Sequence, residues 1–194
     1  DEKIQLRMSN RKILIGLCEA LDIKNVVEVT RIVDKIEKIG ENEVGGQLMD
    51  MGIGTEKWHA IRDLVKTKAG ASEIAGLLRD FIARNDVIAK SASDDAIQAL
   101  QEGIEELSFV MEHLKHLPEG AVVADLSIVR GLDYYTGTVY ETVFVDDPTY
   151  GSICSGGRYD DLAGSYINKH LPGVGISIGF SRLFDRLLKQ NKFN

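Results

Sequence analysis

The chain has 194 residues, with 44% hydrophobic and 27% charged residues and a formal net charge of −7. That composition excludes disorder over the whole length, and the acidic balance excludes a protein whose main task is to coat nucleic acid. No apolar run approaches the roughly 20 residues of a membrane-spanning helix, so no membrane partner is expected. The opening Asp1-Glu2-Lys3-Ile4 does not read as a signal peptide. Two distant cysteines, Cys18 and Cys154, exclude a disulfide framework and point to a reduced, cytoplasmic setting.

In chain order, Ile4-Gln5-Leu6-Arg7-Met8 alternates apolar and polar residues, the period of a half-buried strand. Ser9 or Asn10 can cap a following helix with Ile13, Leu14, Leu17, Cys18 and Leu21 on one face. From Val26 to about Pro118 the pattern is helical nearly throughout. Val29, Ile32, Val33, Ile36 and Ile39 form one stripe, closed by Gly40; Ile74, Leu77, Leu78, Phe81 and Ile82 form another. The longest stripe is Ile97, Leu100, Ile104, Leu107, Met111 and Leu114, with Ser93 as N-cap and Asp94 and Asp95 in the first turn. This block, residues 25–118, holds 11 Lys+Arg and 17 Asp+Glu, a net of −6, whereas the rest of the chain is nearly neutral.

After Gly120 the character changes. Val122–Val129, Thr138–Val145, Ser152–Ser155 and Gly175–Phe180 read as strands, and a closing helix carries Leu183, Phe184, Leu187 and Leu188. Short strands joined by short turns favour an antiparallel sheet. The opening strand and helix are too small to stand alone. The fold class is therefore α+β: residues 1–24 are a first piece of the sheet domain, 25–118 an all-α insertion, and 119–194 the remainder of the sheet domain.

Three constellations can carry chemistry. Arg130-Gly131-Leu132-Asp133-Tyr134-Tyr135-Thr136-Gly137 follows an apolar strand; its arginine offers a fixed fork of donors for carboxylate or phosphate, although on the residues alone a hairpin with its tyrosines packed in the core is the favoured reading. Gly151 to Asp160 places Gly156 and Gly157 at a strand end beside Arg158 and Tyr159, which suits close backbone approach to a ligand or, alternatively, a turn in which Arg158 holds a local carboxylate. In Gly173 to Leu183 a glycine-interrupted strand runs into a helix capped by Ser181, where Arg182 and backbone amides can hold an anion, or where Arg182 is an exposed cation that bears a small helix-dipole penalty. His113 and His116 beside Glu112 read as solvated surface rather than a metal site, Cys18 as core, and Trp58 as a packed side chain with Lys57, Arg62 and Lys66 nearby.

These three constellations, in this order, resemble the histidyl-tRNA synthetases, a family of class II aminoacyl-tRNA synthetases. Arg130–Gly137 resembles their first histidine-specific signature, Ser155–Asp160 the second, and Gly173–Leu183 class II motif 3; Met8–Leu14 resembles the step before the family's insertion domain. The resemblance implies a partial class II antiparallel sheet with flanking helices. It implies ATP-dependent activation of L-histidine to an adenylate and transfer to tRNA(His). Arg130 would be the catalytic arginine and also touch ATP. Tyr134, Tyr135, Tyr159, Gly156 and Gly157 would bind histidine, and Arg182 and Gly179 would bind ATP. Mg²⁺ would accompany ATP, with no protein ligand assigned. Motifs 1 and 2 have no counterpart here, so the segment is expected to be inactive alone and to lack the usual dimer motif, while the parent protein would be a homodimer. Two other members of the wider group fit less well: a regulatory subunit of ATP phosphoribosyltransferase, and a synthetase-like tRNA-sensing domain. Both are expected to erode signatures that stand intact here.

Overall fold

The computed structural model of the chain describes residues 3–129, 135–165 and 167–192. Its framework is one six-stranded sheet built from β1 (Ile4–Asn10), β2 (Lys68–Ala69), β3 (Val122–Asp125), β4 (Thr138–Phe144), β5 (Cys154–Tyr159) and β6 (Gly173–Ile178). The spatial order is β2-β3-β1-β4-β5-β6. The first strand of the chain therefore lies inside the sheet, paired over its full length with β4, from Ile4 opposite Phe144 to Asn10 opposite Thr138. All pairings are antiparallel except β1 with β3, which run parallel. The sheet is thus antiparallel as expected, apart from this one parallel pair. The long helical excursion between β1 and β3 supplies the crossover that parallel neighbours require.

That excursion contains α1 (Arg11–Ala20), α2 (Val26–Val33), α3 (Ile36–Ile39), α4 (Glu41–Asp50), α5 (Thr55–Val65), α6 (Ile74–Arg84), α7 (Asp86–Ser91) and α8 (Asp94–His113). It is not helical throughout, because β2 interrupts it and joins the sheet beside β3. The single stripe expected from Val29 to Ile39 is split at Asp34 and Lys35 into α2 and α3. At α8 Ser93 is the N-cap, its hydroxyl accepting from the Ala96 amide at 3.3 Å. Asn10 caps α1 in the same way through the Lys12 amide, at 3.0 Å. Helices α1 and α8 lie close enough that glycine is needed on both. A methyl at Gly16 would stand 2.8 Å from the Leu100 amide, and one at Gly103 would stand 2.9 Å from that of Ile13. Ile13, Leu17, Leu21, Leu100, Ile104 and Leu107 are sealed in the core that results, and this core continues through Met8 and Ala124 into the sheet.

The remaining helix, α9 (Phe180–Lys189), follows β6. It packs on the sheet through Arg186, whose guanidinium lies 4.5 Å from the centre of the Phe144 ring and pairs with Asp146 at 2.6 Å. Strand periodicity sorts the side chains. Residues opposite one another in a ladder share a face. Met8, Tyr140, Gly156 and Ile176 thus point to the side where α8 and α9 pack, while Arg7, Glu141, Ser155 and Ser177 point to the other. We call these the helix face and the open face. Val122–Val129 is strand only as far as Asp125, where the chain turns: the Asp125 carboxylate accepts from the amide and hydroxyl of Ser127 at 3.1 and 2.6 Å.

Candidate functional site

The site is built from a small-residue strand pair. Strand β6 reads Gly173-Val174-Gly175-Ile176-Ser177-Ile178, with small and large residues alternating. Register sets Gly175 opposite Gly157 and Gly173 opposite Tyr159, so the small residues of β6 all face the open side. Two tyrosine rings lie on this glycine floor. A methyl at Gly157 would stand 2.9 Å from the ring of Tyr135, and one at Gly173 would stand 2.7 Å from the ring of Tyr159. Gly175 is also beneath Tyr159, at 3.3 Å. Tyr135 and Tyr159 are therefore side by side on one face. Arg130 and Tyr134 lie outside the described residues.

The glycine pair of β5 is mid-strand, not at a strand end as the sequence implied, because the strand runs on to Tyr159. Its two members consequently face opposite ways. Gly157 makes room for Tyr135 on the open face. Gly156 makes room on the helix face for Tyr140, which crosses β5 and donates its hydroxyl hydrogen to the Gly175 carbonyl at 2.7 Å. Gly156 thus lets a protein side chain approach, where the sequence pointed to a ligand. Burial and, less strongly, Cys154 push the Tyr140 hydroxyl above its ordinary pKa, so it stays protonated as the donor.

The segment that carries Tyr135 is held from two directions. On one side the Thr136 amide donates to the Arg158 carbonyl at 2.9 Å, and the Thr136 hydroxyl donates to Asp160 at 2.6 Å. Arg158 grips the same carboxylate through Nε at 3.0 Å and Nη2 at 2.9 Å, the local pairing that was one of the two sequence readings for this arginine. The Thr136 hydrogen bond first, and then Arg158, hold the Asp160 carboxyl below the usual range. This tie is therefore complete above the ordinary aspartate pKa and is lost as pH falls through the depressed one. On the other side, Arg11 at the start of α1 donates from Nη1 to the Tyr135 carbonyl at 2.9 Å, and its amide donates to the Gly137 carbonyl at 3.1 Å.

Arg182 lies in the first turn of α9. The N-cap is Gly179, with no side-chain cap, and Ser181 sits inside the helix instead of capping it. The Gly179 amide donates to the Ile153 carbonyl at 2.8 Å, and the exposed Arg182 guanidinium donates to the Ser152 carbonyl. Both contacts fall just before β5 begins. Tyr159 is at the other end of that strand, five residue steps from Cys154, about 17 Å at roughly 3.4 Å per residue. The site residues that are described thus span the length of β5, with the Arg182 guanidinium at one end and the phenol rings at the other.

The family profile described as histidyl-tRNA synthetase matches residues 3–183. The chain belongs to the histidyl-tRNA synthetase family. It is 44% identical over 188 residues to the histidine–tRNA ligase of Thermobifida fusca and 45% identical over 192 residues to that of Xanthomonas axonopodis pv. citri. Both alignments take in 96% of this chain, but only 40% and 38% of the respective relative. The chain thus spans about two fifths of the length of these ligases. The crystal structure of histidyl-tRNA synthetase from Nostoc sp. PCC 7120 superposes with a TM-score of 0.86 at 37% identity, covering all of this chain and 44% of that one. An ATP phosphoribosyltransferase regulatory subunit/histidyl-tRNA synthetase from Bacillus halodurans C, at TM-score 0.65 and 17% identity, shares the fold.

Other features of this synthetase-family chain fall outside the site. One cavity of about 560 Å³ lies on the helix face, between α8 and the sheet, lined by Met8, Phe109, Val110, Tyr140 and Val174 with Arg158 at its rim. Among the described residues no helix is long and apolar enough to cross a membrane, and no group of three or more His, Cys, Asp and Glu side chains is placed to hold a metal. His113 and His116 are exposed and turn their Nδ1 atoms to the carbonyls of Phe109 and His113. Trp58 is buried against Gly45. Of the basic residues near it, Arg62 pairs with Asp63 at 2.8 Å and Lys66 with Glu41 at 2.7 Å, so this helix presents less free positive charge than its sequence implies.

The cysteines differ in reach. Cys18 is buried, and burial pushes its thiol up to about 12, whereas Cys154 is partly accessible. A thiolate is the reactive form. Titration of the native chain with a thiol reagent at pH 8 is expected to label Cys154 alone, with Cys18 reacting only in denaturant. Equal labelling rates for both would contradict the packing of α1.

Proposed function

We propose that this chain is the histidine-reading part of a histidine–tRNA ligase, which activates L-histidine with ATP and passes the histidyl group to tRNA(His). The observation that carries the proposal is the pairing of Tyr135 and Tyr159 on one glycine floor at the end of β5. Phenol hydroxyls grouped on one face suit a small polar ring and an amino group, and Tyr134 belongs to the same signature. Gly157 contributes by keeping the floor low, and Gly156 by admitting the tyrosine that pins β6 beneath it. Arg182 and the Gly179 turn, a strand's length away, suit the polyphosphate of ATP. Mg²⁺ would arrive with the nucleotide and supply charge neutralisation there; no residue of this chain is assigned to it. Arg130 would stabilise the charge that builds on the α-phosphate as the carboxylate attacks, since a fixed guanidinium needs no reorganisation at that moment. In the cell we place the parent ligase in the cytoplasm as a homodimer.

The test is pyrophosphate exchange. The full-length ligase carrying this segment is expected to exchange labelled pyrophosphate into ATP only with histidine, and to lose at least about 100-fold in kcat/KM when Arg130 becomes alanine, the scale of removing one transition-state donor. The 194-residue chain alone is expected to give no exchange. Histidine-independent exchange, or exchange driven by another amino acid, would overturn the assignment. Exchange by the isolated chain would overturn its dependence on the rest of the ligase.

A further inference from the structure

We infer that Arg11 is a positioning residue for the histidine signature. It holds the backbone at Tyr135 and Gly137, and so fixes where the Tyr135 ring stands. Nothing in the sequence of the signature points to it: Arg11 is more than a hundred residues upstream, at the first position of α1, where a helix start ordinarily favours acidic residues over a cation. The arginine is nevertheless buried, 9% exposed.

Its contacts explain the placement. The described chain runs to Val129 and resumes at Tyr135. Val129 is 3% exposed, and together with Asn10, Arg11, Leu14 and Thr30 it walls a residual void of only about 10 Å³. The Arg11 guanidinium donates to the Tyr135 carbonyl at 2.9 Å, and the Arg11 amide donates to the Gly137 carbonyl at 3.1 Å. One residue thus makes two hydrogen bonds to the backbone that carries Tyr135. Its own position is fixed by its neighbours. Asn10 caps α1 and donates from Nδ2 to Glu106 of α8 at 2.8 Å, and Lys12 pairs with the same carboxylate at 2.8 Å. The clamp is therefore referred to the α1–α8 pair, whose backbones meet closely at Gly16 and Gly103.

A charged donor to a main-chain carbonyl fixes backbone without dictating the side chains of the segment it holds. The ring of Tyr135 has a second constraint, the floor at Gly157, and the two together set its orientation. Releasing the carbonyl leaves the fold standing but lets the ring tilt. Misplacing a binding group by an ångström is enough to cost a large factor in rate or affinity.

The inference rests on the proposed histidine chemistry for its functional part, and two measurements separate the two. In the 194-residue chain carrying 3-fluorotyrosine, Arg11→Ala is expected to shift or broaden the ¹⁹F resonance of Tyr135 while leaving that of Tyr150, on the far side of the sheet beside α9, in place; assignment comes from Tyr→Phe variants. An unchanged Tyr135 resonance would overturn the clamp whatever the protein does. In the full-length ligase, Arg11→Ala is expected to raise KM for histidine about tenfold after correction for the folded active fraction, with Arg11→Lys recovering part of the loss by restoring one donor. Fewer active molecules with an unchanged KM would mean a merely structural role and would overturn the positioning assignment. Absence of histidine-dependent exchange in the unsubstituted ligase would sink the functional proposal instead, leaving the fluorine result to decide the clamp. If Arg11→Ala fails to fold, Arg11→Lys and Arg11→Met carry both measurements.

Discussion

Replacing Gly156 by alanine is expected to destabilise the chain by about 3 kcal/mol or more, at the upper end of overpacking costs. For a domain of this size that is a fall of roughly 6–12 °C in Tm. The added methyl would collide with the Gly175 carbonyl oxygen and stand 2.6 Å from the Tyr140 hydroxyl. One neighbour is the end of a side chain and can move; the other is the backbone of the adjacent strand and cannot move without breaking the β5–β6 ladder. Truncating Tyr140 to alanine in the same molecule is therefore expected to recover little. Full recovery in the double variant, measured by thermal or urea unfolding, would show that the tyrosine and not the strand sets the limit. Gly157→Ala is expected to act differently, displacing the Tyr135 ring from the open face, because the ring is among its closest neighbours at 2.9 Å alongside the Thr138 carbonyl.

The second large effect is expected at Asp125. Its side chain is fully buried at the inner end of β3, with Lys68 at 2.8 Å and Arg7 at 3.7 Å. It also accepts both hydrogen bonds of Ser127. Asp125→Ala removes the one carboxylate buried between two cations, unpins the turn after β3 and frees β2, which pairs with β3 over only two residues. Breaking a buried pair by removing one partner costs about 3–5 kcal/mol, less here because Lys68 is half-exposed; about 2–4 kcal/mol is expected. Arg7→Met should cost clearly less, since Lys68 still answers the charge. Equal losses for the two would mean that Lys68 contributes nothing.

Much of this molecule is legible in its sequence where a period is long enough to read. The alternation from Ile4 to Met8 in β1, the apolar stripe of α8 and its Ser93 cap are all where local pattern puts them. The two-residue β2 has no period, and a parallel neighbour for β1 cannot be read from β1 itself; both depend on how the helical excursion returns. The facing of Gly156 and Gly157 needs the register of β5, which the shortened strand assignment at Ser155 concealed. Ser181 carries every local feature of a cap, but the chain leaves β6 so tightly that the helix starts before it, at Phe180. The signal for the site floor was nevertheless present, in the strict small–large alternation of Gly173 to Ile178. Arg11 carried none, because its partner is a main-chain carbonyl, and carbonyls have no sequence signature.

The inner position of β1 also dictates the order in which this molecule comes together. Ile4 cannot meet Phe144 until some 140 residues have emerged, a late event for a chain made from its amino end. Until then the apolar side of that ribbon is unsheltered on one flank. The α1–α8 contact shortens the wait: once Gly16 and Gly103 let those rods seat, the ends of the excursion are already neighbours, and the entropy of closing so long a loop has been met in advance.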